Sequence, residues 1–289
     1  MHYNYTVHNT YDIPFANQSY RDQWLNAAWG PGNYHDRLVA CNARNIDTVC
    51  QNANAFCDDE VDTIFNKATG RNIYDIRELN PSPFPYNTYQ DYLNSPRVSK
   101  ALGAYTNWTM GSMTVSLAFE TTMDEQKELN TIEDVRCLVE EGVYVIVYHG
   151  DADYICDWRG GEVIAEQILA PGFDNAGYQN ISTSDAPRVH GQVKQAGNFA
   201  FARIYESGHE VPFYQPLLAY ELFERAIKRV DVAEGKTNVS REYMSKGTRR
   251  SEFHNGNSTV QFATLPGNAT YNTTTNAPNA PGKVRWCDG

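Results

Sequence analysis

Basic residues are scarce and unclustered in this chain: 24 Lys and Arg stand against 35 Asp and Glu, a net charge of -11. A nucleic-acid surface or an anionic membrane patch rewards clustered cations, so neither partner is expected. The opening MHYNYTVHNTYD has no positively charged start and no apolar run, so it is neither a signal peptide nor a transmembrane segment. No C-x-x-C and no H-x-x-x-H spacing occurs. The common zinc frameworks are therefore missing, and no metal or cofactor is expected. G-x-S-x-G is absent too, and with it the sharp strand-to-helix turn on which many hydrolases mount a serine nucleophile.

What is present points outside the cytosol. With 41% hydrophobic residues in 289, the chain can bury a sizeable core, as one large domain or two small ones. Three of its six cysteines, Cys41, Cys50 and Cys57, lie close together and read as a disulfide-forming group. Glycosylation acceptors N-x-S/T begin at Asn4, Asn17, Asn107, Asn180, Asn238, Asn257, Asn268 and Asn272. Composition alone would give about three. A secretory glycoprotein with no leader at its start implies a front portion lost to an incomplete gene model or to processing.

Apolar spacing predicts helices around Ser19–Trp29 and His35–Ala43, followed by the cysteine-bearing VCQNANAFCDDEVDTIF, together a small helical unit held by disulfides. The proline-rich ELNPSPFPYNTYQ reads as a loop, and DYLNSPRVSKALG as a short helix. Leu129, Ile132, Val135, Leu138 and Val139 mark a further helix that stops at Gly142. The unbroken VYVIVYHG is expected to be a strand buried on both faces of a parallel sheet, followed by a helix near WRGGEVIAEQIL. FAFARIY reads as the next strand, and PLLAYELFERAIKRV as a helix with Leu217, Leu218, Leu222, Phe223, Ile227 and Val230 along one face. The fold class is α/β. The expected divisions are a helical cap segment over 1–90, a core over 91–235 and a glycosylated, loosely ordered tail over 236–289. Cys287 could tie that tail down.

Loops leaving the carboxyl ends of parallel strands build the sites of such sheets, and GDADYICDW and SGHEVP both fall there. An aspartate after one strand and a histidine after the next fit the hydrolase order of nucleophile, acid, base. Asp153 is the candidate acid and His209 the candidate base; Asp151 reads as a turn residue. His149, Asp151, Asp153 and Asp157 lack the central glycine and terminal glutamate of a calcium loop. Trp158, Tyr154 and Tyr205 are read as core aromatics.

GDADYICDW followed by SGHEVPFYQP resembles the C-terminal half of the serine carboxypeptidases, secreted or vacuolar fungal members above all. GRNIYDI, YLNSPRVSKALG and HGQVKQAGNFAFARIY extend the resemblance in order from about residue 1 to 235. It implies the C-terminal part of an α/β-hydrolase fold with an incomplete sheet, the cysteine-rich segment being a helical insertion over the active site. It also implies Asp153 and His209 as triad members, Cys156 lining the acyl-side pocket, and Glu210 beside the leaving-group pocket. Cys156 as a thiol nucleophile is disfavoured, because it would come from the acid's own loop. Family members carry a G-E-S-Y-A-G nucleophile turn and a W-N-G-G-P-G loop; neither is in this chain. The expected activity is removal of C-terminal residues from peptides and proteins. The expected partner is the missing N-terminal half, without which the chain is inactive. A non-catalytic glycoprotein fragment and an acyltransferase on the same scaffold are the rival readings.

Overall fold

The computed structural model describes residues 5–6, 8–11, 13, 17–81, 88–127, 130–184, 186–252, 271–272 and 277–278. It divides into two compact units, 1–80 with 124–261, and 81–123 with 262–289.

The first unit opens with helices α1 (Gln18–Trp29), α2 (Tyr34–Arg44) and α3 (Asp47–Phe56), the last running through a π-helical turn at Cys57–Asp62 into α4 (Thr63–Thr69). Asn17 caps α1 by accepting from the Tyr20 amide, and Gly70 ends α4 at φ 62°, a left-handed conformation that glycine adopts without strain. Trp24, Ala27 and Val61 form the core of this helical unit, and a Cys41–Cys50 disulfide ties α2 to α3. Cys57 remains a free thiol, so the expected group of three cysteines yields one bridge among the described residues.

The second unit holds α5 (Thr88–Leu93), α6 (Pro96–Leu102) and α7 (Met113–Thr122). Pro96 at the first turn and a left-handed Gly103 after the last delimit α6. Neither α6 nor α7 buries a residue, and Leu117 and Phe119 are about half exposed.

Back in the first unit come α8 (Asp124–Lys127), α9 (Thr131–Glu140), β1 (Val145–Gly150), α10 (Trp158–Gln167), β2 (Gln179–Thr183), β3 (Ala186–Ala196), β4 (Phe199–Ile204), α11 (Val211–Tyr214) and α12 (Pro216–Lys228). The strands form one open, incomplete sheet in the order β1-β4-β3-β2. β1 is parallel to β4; β3 is antiparallel to both β4 and β2. Side-chain alternation sorts the strands into two cores. Phe199 and Phe201 join Val139, Ala165, Ile168 and Phe173 on one face, whereas Ala200, Ala202 and Ile204 join Leu218, Leu222 and Val232 on the other. The sheet thus lies between α9 with α10 and α12, the layering of an α/β domain.

Two expectations are corrected. β1 is an edge strand among the described residues: β4 is its single partner and Tyr148 is 42% exposed, whereas β4 is buried at all six positions. The buried stripe of α12 is Leu218, Glu221, Leu222 and Arg225, with Phe223 and Ile227 facing solvent. Glu221 and Arg225 are inside because they tie the helix to the sheet: Arg225 donates to the Ser182 and Val232 carbonyls at 2.6 Å each, and Glu221 accepts from the Ser184 amide at 2.9 Å. Beyond these, β2 and β3 form strands that apolar patterning does not mark.

The segment read as the start of a loose tail pairs with the sheet. Met244 bridges Ala196, Thr248 bridges Tyr178, and the Ser245 hydroxyl lies between Gln195 N and the Gly177 carbonyl at 2.9 and 2.6 Å. The rest of the expected tail, with Cys287, lies outside the described residues save for a short antiparallel pairing of Tyr271–Asn272 with Ala277–Pro278.

Candidate active site

The parallel register of β1 and β4 runs from Val145 opposite Phe199 to Gly150 opposite Ile204, so both chains leave the sheet side by side at one end. They touch as they leave: a Cβ on Gly150 would lie 2.3 Å from the carbonyl oxygens of Ser207 and Gly208. Ala152 donates to the Ser207 carbonyl at 2.8 Å. Only glycine permits so close an approach of two backbones.

Three residues past β1 and five past β4, the two candidate residues meet. His209 Nδ1 donates to Asp153 Oδ2 at 2.9 Å. The Asp153 side chain is 3% exposed and the imidazole 39% exposed. Burial holds the Asp153 carboxyl above the ordinary carboxylate range, opposed by the bonds from His209 and from the Cys156 amide. A carboxylate can only accept, so Nδ1 carries the ring proton and Nε2 keeps the basic lone pair. An imidazole oriented in this way can take a proton from a neighbouring hydroxyl while the carboxylate steadies the resulting cation.

Cys156 joins the pair: one donor atom each from Asp153, Cys156 and His209 lie within 4.8 Å of one another. Partial desolvation, then the Asp153 and Asp157 carboxylates, push the Cys156 thiol up, which disfavours the thiolate a cysteine nucleophile needs. Glu210 is exposed directly beyond His209, at the start of α11. Asp151 is turned inward: it accepts from the Tyr11 hydroxyl at 2.5 Å and lies 3.6 Å from Arg203, both side chains of that ion pair being at most 1% exposed. His149 donates from Nδ1 to the Cys156 carbonyl at 2.8 Å, and Asp157 caps α10 at the Gly160 amide, 2.9 Å away. The four acidic and imidazole groups of this loop therefore serve separate tasks. Tyr154, Trp158 and Tyr205 are buried, as core aromatics should be. Asn17, Asn107, Asn180 and Asn238 are exposed; Asn4, Asn257 and Asn268 and the side chain of Asn272 lie outside the described residues.

Sequence patterning misses the segment beneath the pair. Ile73 accepts from the amides of Tyr154 and Ile155 at 3.1 and 3.2 Å, Ile76 donates to the Ala152 carbonyl at 2.9 Å, and Tyr74 accepts from the His209 amide at 2.8 Å. Backbone contacts leave no trace in side-chain periodicity; GRNIYDI stood out through its resemblance alone.

A sheet that delivers an acid from the end of one strand and an imidazole from the end of its parallel neighbour is an α/β-hydrolase arrangement. The family model described as serine carboxypeptidase matches residues 3–229, and the chain belongs to that family. Carboxypeptidase S1 homolog B of Arthroderma otae is 38% identical over 248 residues, covering 80% of this chain and 38% of that protein. A carboxypeptidase Y homolog of Arthroderma benhamiae is 32% identical over 82% of this chain and 40% of its own length, and carboxypeptidase S1 of Penicillium janthinellum 31% over 80% and 53%. The chain thus spans between 38% and 53% of the length of these three relatives. The solved structure of Kex1(delta)p, a prohormone-processing carboxypeptidase from Saccharomyces cerevisiae, shares the fold with a TM-score of 0.52 at 19% identity, covering 68% of this chain and 46% of that one.

Proposed function

We propose that this chain is the C-terminal part of a serine-type carboxypeptidase, with His209 as general base, Asp153 as its orienting acid, and the serine and oxyanion donors supplied by polypeptide preceding Met1. The observation that carries this reading is the 2.9 Å Asp153–His209 bond at the ends of two parallel strands, in a chain of this family. His209 Nε2 takes the serine proton as the hydroxyl attacks the C-terminal peptide carbonyl, then delivers it to the departing amine. Asp153 holds the ring in the required tautomer throughout. Without a nucleophile the covalent step is lost, and each absent oxyanion donor removes about 3 kcal/mol more, so the chain alone does not hydrolyse peptides. Cys156 lines the acyl side of the substrate cleft and Glu210 the side of the departing residue.

The outer edge of β1, unpaired among the described residues, supports a completing N-terminal half, since an unprotected strand edge is a template for another strand. Phe223 and Ile227, two-thirds exposed on α12, add apolar surface for the same half to cover. The exposed acceptors Asn17, Asn107, Asn180 and Asn238 support a glycoprotein of the secretory pathway, secreted or vacuolar. Among the described residues, no helix is long and apolar enough to cross a membrane.

The test is to read the genomic sequence upstream of the Met1 codon and to assay the joined protein on a blocked dipeptide. A G-E-S-Y-A-G frame and release of the free C-terminal amino acid support the proposal. A stop-riddled or unrelated frame sinks it, and acyl transfer without release of amino acid replaces peptidase by transferase.

A further inference from the structure

We propose that residues 71–79 are a brace that sets the alignment of Asp153 with His209, and that Asp75 and Arg77 are its positioning residues. The inference rests on the acid–base reading of that pair.

Two loops from two strands must present a carboxylate and an imidazole within hydrogen-bond distance, and each loop has latitude of its own. The brace holds both at once. Ile73 and Ile76 bond the Asp153 loop on either side of the acid, through Tyr154, Ile155 and Ala152, while the intervening Tyr74 carbonyl bonds the amide of His209 itself. Within four residues of one backbone, both members of the pair are therefore registered to a common frame. The Tyr74 ring also lies against the imidazole, with centroids 5.3 Å apart.

The brace is stiff for reasons of its own. Arg71 and Leu79 pair antiparallel at its base, and the Asn72 amide donates to the Glu78 carbonyl at 3.0 Å. Asn72 Oδ1 accepts from the Tyr74 amide at 2.8 Å. Asp75 and Arg77 form a two-pronged ion pair at 2.9 and 2.6 Å, with side chains 2% and 0% exposed, and Asp75 Oδ1 also accepts the Arg77 amide at 3.0 Å. Rings of Tyr11 and Tyr214 flank the guanidinium at 5.2 and 5.4 Å. A fork of this kind fixes direction as well as distance. The fit on the histidine side is equally close: a Cβ on Gly208 would lie 2.4 Å from the Tyr74 carbonyl oxygen and 3.1 Å from Asp75 Cβ.

The experiment follows His209 by nitrogen-15 NMR in the full 289-residue chain, with the imidazole neutral, and reads the ratio of Nδ1–H to Nε2–H tautomers. Asp153→Asn sets the unsupported value: if it leaves the wild-type ratio unchanged, the acid–base reading itself fails. With that difference established, Asp75→Asn and Gly208→Ala each lower the ratio about tenfold or more, as loss of a charge-assisted hydrogen bond should. The signals of His149 and His190, which lie off the brace, report that each variant keeps its fold. Gly208→Ala buries no unpaired charge, so it remains informative where Asp75→Asn fails to fold. A folded Gly208→Ala or Asp75→Asn chain that retains the wild-type His209 ratio overturns the brace while leaving the acid–base pair standing.

Discussion

Replacing Arg203 by methionine tests how the floor of the site is held. The guanidinium is 1% exposed and donates to Ser251 Oγ at 3.0 Å, the Glu252 carbonyl at 2.9 Å and Thr10 Oγ1 at 2.8 Å. It also lies 4.0 Å above the Trp158 ring and 3.6 Å from fully buried Asp151. Methionine fills similar volume but leaves Asp151 as a buried carboxylate without its nearest cation. Breaking one side of such a pair costs about 3–5 kcal/mol, which in a domain of this size lowers Tm by about 6–20 °C. The pH dependence has a definite sign. Burial already raises the Asp151 carboxyl above its ordinary range, with Arg203 the first opposing influence, so removing Arg203 raises it further. An acid whose pKa is higher folded than unfolded costs nothing below the unfolded value, and its cost grows as pH rises through the folded value. The loss in Arg203→Met is therefore largest at neutral pH and shrinks on acidification, as the raised Asp151 carboxyl takes up its proton. Adding Asp151→Asn recovers much of it. Urea melts of wild type, both single variants and the double variant at neutral and acidic pH give the cycle. A loss under about 1 kcal/mol at neutral pH, or one unchanged on acidification, refutes the reasoning.

Two further perturbations follow from packing and covalent structure. A Cβ on Gly161 would lie 2.3 Å from His149 Nε2, so Gly161→Ala overpacks the contact of α10 with β1 and lowers stability by about 1–3 kcal/mol, read from denaturant midpoints. Removing both Cys41 and Cys50, nine residues apart, costs about 2.5 kcal/mol, read as earlier melting of the helical unit's circular-dichroism signal; an unchanged melt would show that α2 and α3 need no tie.

The helices and the ends of β1 and β4 were legible because their side chains carry the signal: three-to-four spacing in α9 and apolar runs in β1 and β4. β2 and β3 were not, and the misjudged start of the tail has the same cause. β3 buries His190, Gln192, Lys194 and Gln195, which no apolar pattern would place inside. They are satisfied by groups distant in sequence: Gln192 Oε1 accepts from Ser251 and Glu252, Gln195 Oε1 from the Val232 amide, and the Lys194 ammonium lies 4.5 Å from the Phe173 ring. Polar strand and polar tail cover one another, and each looks unstructured until both are seen. On α12, Glu221 and Arg225 displaced Phe223 and Ile227 from the core by the same kind of long-range pairing, with Ser182, Ser184 and Val232. At the site, Asp153 and His209 were readable from residue type and strand position. The brace was not, because its hold on the two loops is through backbone amides and carbonyls.

The proposed role of His209 is that of the base in a serine carboxypeptidase completed by preceding polypeptide. Its most direct measurement is release of free C-terminal amino acid from a blocked dipeptide by the joined protein, compared with the same protein carrying His209→Ala. The joined wild type is expected to turn over, and the variant to lose about a million-fold in kcat. Turnover that survives His209→Ala within about tenfold would contradict that role.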